Sequence, residues 1–408
     1  MITAPKLLLK RLLSFTASAW LPMALANVAF AASWADIQFG GFASQGFIYS
    51  SANDYHGDSS DGTFDFREYA ANASYARGSF RLGAQVFGQK LGEYGDDEIT
   101  LDWASVDYQP SQWFGLRAGR VKMPRGLYNE ALDVDSVRPY IFLPQSAYDA
   151  RLRDFNAALD GAMLFGNAGL GDFGSIDYRL YYGDIPMTTD SGANDFFNNN
   201  VPFPNTAIGM DSALGGAVFW NPPVYGLRMG YSYSVFDNFA MDRDVTFGPG
   251  APPVTLTRGA DHYFRHMFSV EYITGDWVLA AEFGREDAYY GIYFPGDAPI
   301  AYLDFGTVFA YASASRRIND QWEVGFYHSY SREIQDTVGG GGLVFPDYLQ
   351  NDTAISVRHD VTDQWLVKFE MHYMDGAGKI FNTPTKPQPY DAADKSWVYL
   401  AAKTTYSF

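Results

Sequence analysis

Most of this chain alternates with a period of two. Trp365, Val367, Phe369, Met371 and Tyr373 interleave with Leu366, Lys368, Glu370 and His372. The closing run sets Val398, Leu400, Ala402, Thr404, Tyr406 and Phe408 against Trp397, Tyr399, Ala401, Lys403, Thr405 and Ser407. The pattern recurs at 80–87, 277–283 and 355–361. Successive side chains of a strand point to opposite faces, so a two-residue period predicts strands rather than helices. One face of each run is apolar. The other carries charges midway along its length: Arg81, Arg117, Arg179, Arg228, Arg265, Arg358, Lys368 and Lys403, beside Asp177, Glu271, Glu282, Glu323 and Glu370. Such strands suit the solvent face of a soluble sandwich, or a transmembrane barrel that is apolar toward lipid and polar toward a wet lumen. Length and turn spacing separate the two.

Tight turns recur in related form. ITGDW, INDQW and VTDQW each place a Trp (277, 322 and 365) at the start of a strand, and QPSQW with Trp113 is a looser copy. Further short turns fit near 76–79, 168–174 and 221–226. Around these seven lie eight longer polar segments, near 50–64, 89–98, 122–158, 184–212, 237–261, 286–304, 332–350 and 375–395. Eight long loops alternating with seven short turns predict sixteen strands, each of about ten residues, enough to cross a bilayer at a tilt. Both termini then lie on the short-turn side. Sixteen strands leave an aqueous channel. A propeller repeats over a similar interval but packs four short strands into each blade, whereas each unit here holds two long ones. The Trp residues at turn exits, with Tyr108, Tyr272, Tyr406 and Phe408 at strand ends, fit aromatic girdles at the membrane interface.

The two ends agree with this. Residues 1–31 carry Lys6, Lys10 and Arg11, then an apolar stretch broken by Pro22, then Ala29-Phe30-Ala31 as a small-x-small cleavage pattern. They are expected to be a secretory signal peptide, with the mature barrel domain spanning 32–408. A terminal aromatic strand ending on Phe408 resembles that of bacterial outer-membrane β-barrel proteins, in which it closes the barrel and serves as an assembly signal. The chain has no cysteine, so disulfides and thiolate sites are excluded. No segment beyond the first 31 residues has the roughly 20 apolar residues of a membrane helix, and a membrane chain without such helices must close a barrel. Formal charge is −18, and removing residues 1–31 leaves about −21. That argues against nucleic acid, which calls for a basic surface. Under the same resemblance, acidic loops suit a cell surface where carboxylates and divalent ions meet lipopolysaccharide.

Residues 116–155, LRAGRVKMPRGLYNEALDVDSVRPYIFLPQSAYDARLRDF, are the most specific internal feature. Pro124 and Gly126 end regular pairing, and about 35 residues without strand pattern follow, a length that is normally functional. This is the third long loop. It holds Lys122, Arg125, Arg138, Arg151 and Arg153 against Glu130, Asp133, Asp135, Asp149 and Asp154. Fixed charges in a narrow water-filled passage between low-dielectric walls set ion preference. The candidate constriction is this loop together with Arg81 and Arg117 on the wall. Arg151 and Arg153, at the loop's return to the wall, are expected at the channel surface. The whole chain after residue 31 resembles the Gram-negative porins in architecture. In the general porins the third loop folds inward and narrows the channel. LRAGRVKMPRG is also similar to the strand-to-loop sequence of phosphate-selective and related substrate-selective porins, in which a glycine-rich strand runs into Lys-x-Pro-x-Gly, matched by Lys122 to Gly126. Sparse lysines and acidic total charge depart from a phosphate-selective pattern.

Other chemistry is weak. His262 and His266 lie on one strand face, which does not suit helix-spaced metal ligation. Asp54, Asp58, Asp61 and Asp65 match no defined calcium loop. No G-x-S-x-G marks a nucleophilic serine, and the first strand, Asp36 to Tyr49, leaves no room for a plug domain. The glycines 339–342 fall in a loop. The sequence therefore predicts an all-β, sixteen-stranded outer-membrane barrel with its third loop in the channel. It would pass small hydrophilic solutes and ions without catalysis, cofactor or metal, as a homotrimer by resemblance. An anion-selective channel for phosphate or organic acids is the first alternative, and a barrel enzyme or adhesin the second.

Overall fold

The computed structural model describes residues 36–92, 94–198, 203–338, 347–380, 382 and 387–408. The predicted signal peptide and the glycines at 339–342 lie outside them. A single antiparallel sheet closes on itself. Its segments are β1 (Ile37–Ser50), β2 (Phe66–Arg77), β3 (Phe80–Leu91), β4 (Thr100–Ser111), β5 (Phe114–Lys122), β6 (Ala158–Gly169), β7 (Ser175–Asp184), β8 (Asn205–Gly209), β9 (Ser212–Asn221), β10 (Leu227–Val245), β11 (Val254–Thr274), β12 (Trp277–Tyr293), β13 (Ala301–Arg317), β14 (Trp322–Val338), β15 (Tyr348–Asp360), β16 (Trp365–Gly376) and β17 (Ser396–Ser407). β8 pairs with the far part of β10 and β9 with its near part, so the two are one wall strand interrupted at Met210-Asp211. The barrel therefore has sixteen strands, as the loop and turn pattern predicts. Two short helices, α1 (Arg153–Asn156) and α2 (Gly192–Phe197), lie in loops.

The terminal strand closes the ring. β17 pairs with β16 on one side and β1 on the other, from Phe42 opposite Ser407 to Ser50 opposite Tyr399. Phe408 extends the seam: its N–H donates to Gly41 O at 3.0 Å, and Gly41 N–H donates to Phe408 O at 3.1 Å. Period two becomes two environments. On β16 Phe369 is 59% exposed on the outside while neighbouring Lys368 is 0% exposed on the inside. Trp277, Trp322 and Trp365 open β12, β14 and β16 at the short-turn end and are exposed on the outside, where an interfacial girdle belongs.

Two expectations need correction. The loops expected at 237–261 and 286–304 are largely strand, because β10 to β14 run 17–21 residues against the 9–11 that cross a bilayer. In their upper parts the inner face is apolar, with Phe239, Met241, Tyr290 and Leu303 buried in one cluster, while the outer face turns polar at Asp242, Asp287 and Asp304, so the expected alternation of apolar outside and polar inside fades. The ladder nonetheless continues, as in Asp242 opposite Thr257. The second concerns the lumen. The alternation places the charges of the polar face in open water, yet Lys368, Lys403, Glu282, Glu370 and Arg265 are buried. The third loop covers them.

Candidate functional site: the third loop and the wall it meets

The loop leaves the wall at Lys122 and returns at Ala158, which are ladder partners of β5 and β6. Met123 N–H donates to Ala157 O at 3.0 Å and ties the neck. The turn inward is made by Gly126, whose φ of +57° is left-handed. A Cβ there would sit 2.3 Å from Tyr148 Oη, 2.4 Å from Met267 Sδ and 2.5 Å from Glu282 Oε1. Only glycine permits both the turn and the approach. Gly126 N–H then donates to Ser232 Oγ and Leu127 N–H to Glu282 Oε1, each at 2.9 Å, so the chain is fixed to β10 and β12 as soon as it enters the lumen.

From there the loop crosses to the opposite wall. Tyr148 Oη donates to Glu282 Oε2 at 2.5 Å, and Tyr140 Oη donates to Phe326 O at 3.0 Å on β14. Ser356 on β15 donates to Pro139 O at 2.5 Å. On β16 the Glu370 carboxylate accepts from the N–H groups of Ile141 (2.7 Å) and Phe142 (3.1 Å). Lys368 donates to Asp135 Oδ1 at 2.8 Å and to Tyr140 O at 3.1 Å. Thr405 on β17 donates to Asp135 Oδ2 at 2.6 Å. A segment with no regular structure must find partners for its buried peptide groups, and the wall's charged side chains supply them. Apolar contacts fill the gaps. Phe155 packs with Phe236, Phe239 and Tyr263, Phe142 with Phe66 and Tyr399, and Leu143 and Tyr148 lie in one cluster with Met267 and Phe309.

The ten charged candidates divide by what they touch. Lys122, Asp133 and Arg153 form a network with Asp102 of β4: Arg153 reaches Asp102 at 2.6 Å and Asp133 at 2.8 Å, and Lys122 reaches Asp133 at 2.7 Å. Burial alone would raise the pKa of Asp133, but Arg153 and Lys122 outweigh it and hold the carboxylate below its ordinary range. Asp135 is treated likewise: burial opposes ionisation, and Lys368 and Lys403 prevail. Arg125 is buried, donates to Ala147 O at 2.7 Å and approaches Glu286 at 3.3 Å. Burial, then the nearby Arg265, lowers its pKa to about 10, so it remains cationic at neutral pH. Arg151, expected at the channel surface, is instead wholly enclosed. It donates twice to Asp149, at 2.8 and 2.7 Å, and once to Lys379 O, so its work is to hold the loop.

Among the spaces beside the loop, two hold several of the charged candidates. One is a cavity of about 50 Å³ between the loop and β2, lined by Glu68, Gln89, Asp133, Arg138, Asp149 and Arg153 among others. That is room for a few waters, each needing roughly 10–15 Å³ by the same measure. Among the described residues Arg138 is the one loop cation outside an ion pair; it donates to Leu132 O at 2.9 Å and its Nε has no partner. The other space, about 370 Å³, opens toward the short turns and contains Arg81, Arg117, Glu130 and Arg179. Arg117 is bidentate with Asp107 at 2.7 and 2.8 Å, Glu130 meets Arg179 at 3.2 Å, and Arg81 stands exposed. Sequence reading missed Asp102 and Glu68. Each sits on the lumenal face of its strand, but nothing local announces which loop residue will meet it.

No family model matches the sequence, and no curated protein matches it. Solved structures do. OmpF of Salmonella typhi, in complex with daunomycin, aligns with a TM-score of 0.55 at 11% identity, over 91% of this chain and 97% of that one. The anion-selective porin from Comamonas acidovorans aligns at 0.53 and 12% identity, over 91% and 99%. The trimer form of OmpT, an outer membrane protein of Vibrio cholerae folded in vitro, aligns at 0.52 and 13%, over 91% and 99%. At these identities the likeness is one of fold. The chain has the fold of the Gram-negative outer-membrane porins.

Proposed function

We propose that this chain is an outer-membrane channel for small hydrophilic solutes and ions, passive and without catalysis, in which the third loop sets what passes. The observation that carries the reading is the loop itself. It runs from β5 across the lumen to β14 through β17 and leaves a charged cavity of about 50 Å³ beside β2. In so confined a space a single fixed charge acts with little screening. Arg138, free of an ion pair among the described residues, is the charge that decides ion preference there, while Asp133 and Arg153 largely cancel. Arg81, at the wider inner mouth, adds a second positive charge.

Export through residues 1–31 as a cleaved signal peptide belongs to the same reading, as does assembly into a homotrimer, supported by the trimer form of the Vibrio cholerae relative in fold. Reversal potential in a KCl gradient across a planar bilayer tests it. Wild-type protein gives discrete conductance steps, and Arg138→Gln shifts the reversal potential toward cation preference. Absence of steps from folded protein would overturn the channel. An unshifted potential would remove Arg138 from the filter.

A further inference from the structure

Near the long-loop rim two arginines stand side by side on the lumenal face. In the ladder Arg258 of β11 is opposite Met241 of β10, and Arg243 is opposite Leu256. Diagonal neighbours of this kind lie roughly 7–8 Å apart. Arg243 is 8% exposed. Its Nη2 donates to Asn205 Oδ1 at 2.7 Å, and Asn205 is itself held by Asn194 of α2 at 2.9 Å. Arg258 lies over the Tyr290 ring, 4.1 Å from its centroid. The Nε of each arginine is buried without a hydrogen-bond partner, as is the Tyr290 hydroxyl. Among the described residues neither guanidinium lies within ion-pair distance of a carboxylate; Glu333 of β14 acts on Arg258 electrostatically from farther away. The arginines of the third loop other than Arg138 all have carboxylate partners.

Like charges held together cost free energy unless an opposite charge offsets them, and buried donors without acceptors call for a partner. Two guanidinium groups presented together match an oxyanion, which accepts several charge-assisted hydrogen bonds at once. The rim is also where a solute from outside first meets the wall. We infer that Arg243 and Arg258 bind the carboxylate or phosphate group of a small anionic solute at the outer mouth, with Tyr290 as the positioning residue that holds Arg258 in place. The role in uptake rests on the channel reading. Binding itself does not require conduction.

Calorimetric titration of folded, detergent-solubilised protein at low salt tests this, with inorganic phosphate in one arm and malonate in the other. The expected result is saturable binding in at least one arm, and the arm that binds identifies the group. The double variant Arg243→Gln/Arg258→Gln, checked for folding by heat-resistant gel mobility, weakens it by about tenfold or more. Arg258→Gln alone weakens it in the same direction, which serves if the double variant does not fold. No binding of either anion by the wild-type protein, or equal affinity in wild type and Arg258→Gln, overturns the inference. A protein that binds but gives no conductance steps would sink the channel reading and leave the site standing. One that conducts without binding would do the reverse.

Discussion

At Gly126 the path of the third loop depends on the absence of one side chain. Ala there must adopt a left-handed φ and displace Tyr148, Met267 or Glu282. Gly126→Ala is expected to lower stability by about 1–3 kcal/mol and to raise single-channel conductance as the Tyr148–Glu282 anchor loosens. An unchanged denaturation midpoint and conductance would show that the anchor is dispensable. Asp133 and Asp135 make a second prediction. Burial would raise both pKa values, but the surrounding cations hold them below the ordinary 3.8. A depressed folded pKa contributes stability that is complete above the unfolded value and lost as pH falls through the folded one. The loop should therefore stay docked from neutral pH to about 4 and release only in stronger acid, seen as a conductance rise. A rise between pH 7 and 5 would mean other groups hold it. The turn at Gly126 was legible in the sequence from its Pro-x-Gly break. The enclosure of Arg151 was not, because its partners Asp149 and Lys379 O come together only in the folded chain.

The strands were the legible elements, because lipid on one side and a polar lumen on the other enforce alternation. What alternation could not convey is whether the inner face meets water or protein. Phe236 and Phe239 both point inward because Asn238, with φ of +52°, adds a residue between them. Such aromatic pairs break the polar pattern and mark where loops fill the lumen. Register on β16 offers the direct test. Arg at Phe369, on the lipid face, should destabilise the barrel by about 2–4 kcal/mol near the midplane. Arg at Ser74, on the lumenal face of β2 with Glu68 and only partly buried, should cost far less. Equal cost at the two sites in a refolding titration would mean that the register or the topology is wrong. Lys368, though lumenal, is no neutral control, since it is sealed against Asp135.

For the whole molecule, a sixteen-stranded wall encloses enough space for a wide aqueous channel, and the third loop runs across it. The loop is tied to β10, β12, β14, β15, β16 and β17. Its ion pair to β4 joins it to the near wall as well. These contacts are spread around the barrel, so the loop acts as a built-in partition rather than a flap on one hinge. The decisive measurement is single-channel conductance in a planar bilayer. Wild-type protein is compared with a variant in which residues 127–154 are replaced by a short Gly-Ser linker, leaving the Met123–Ala157 neck intact. The account predicts small steps for the wild type and several-fold larger steps for the shortened, still heat-resistant barrel. Equal conductance in the two would contradict it, because the passage would then lie somewhere the loop does not reach.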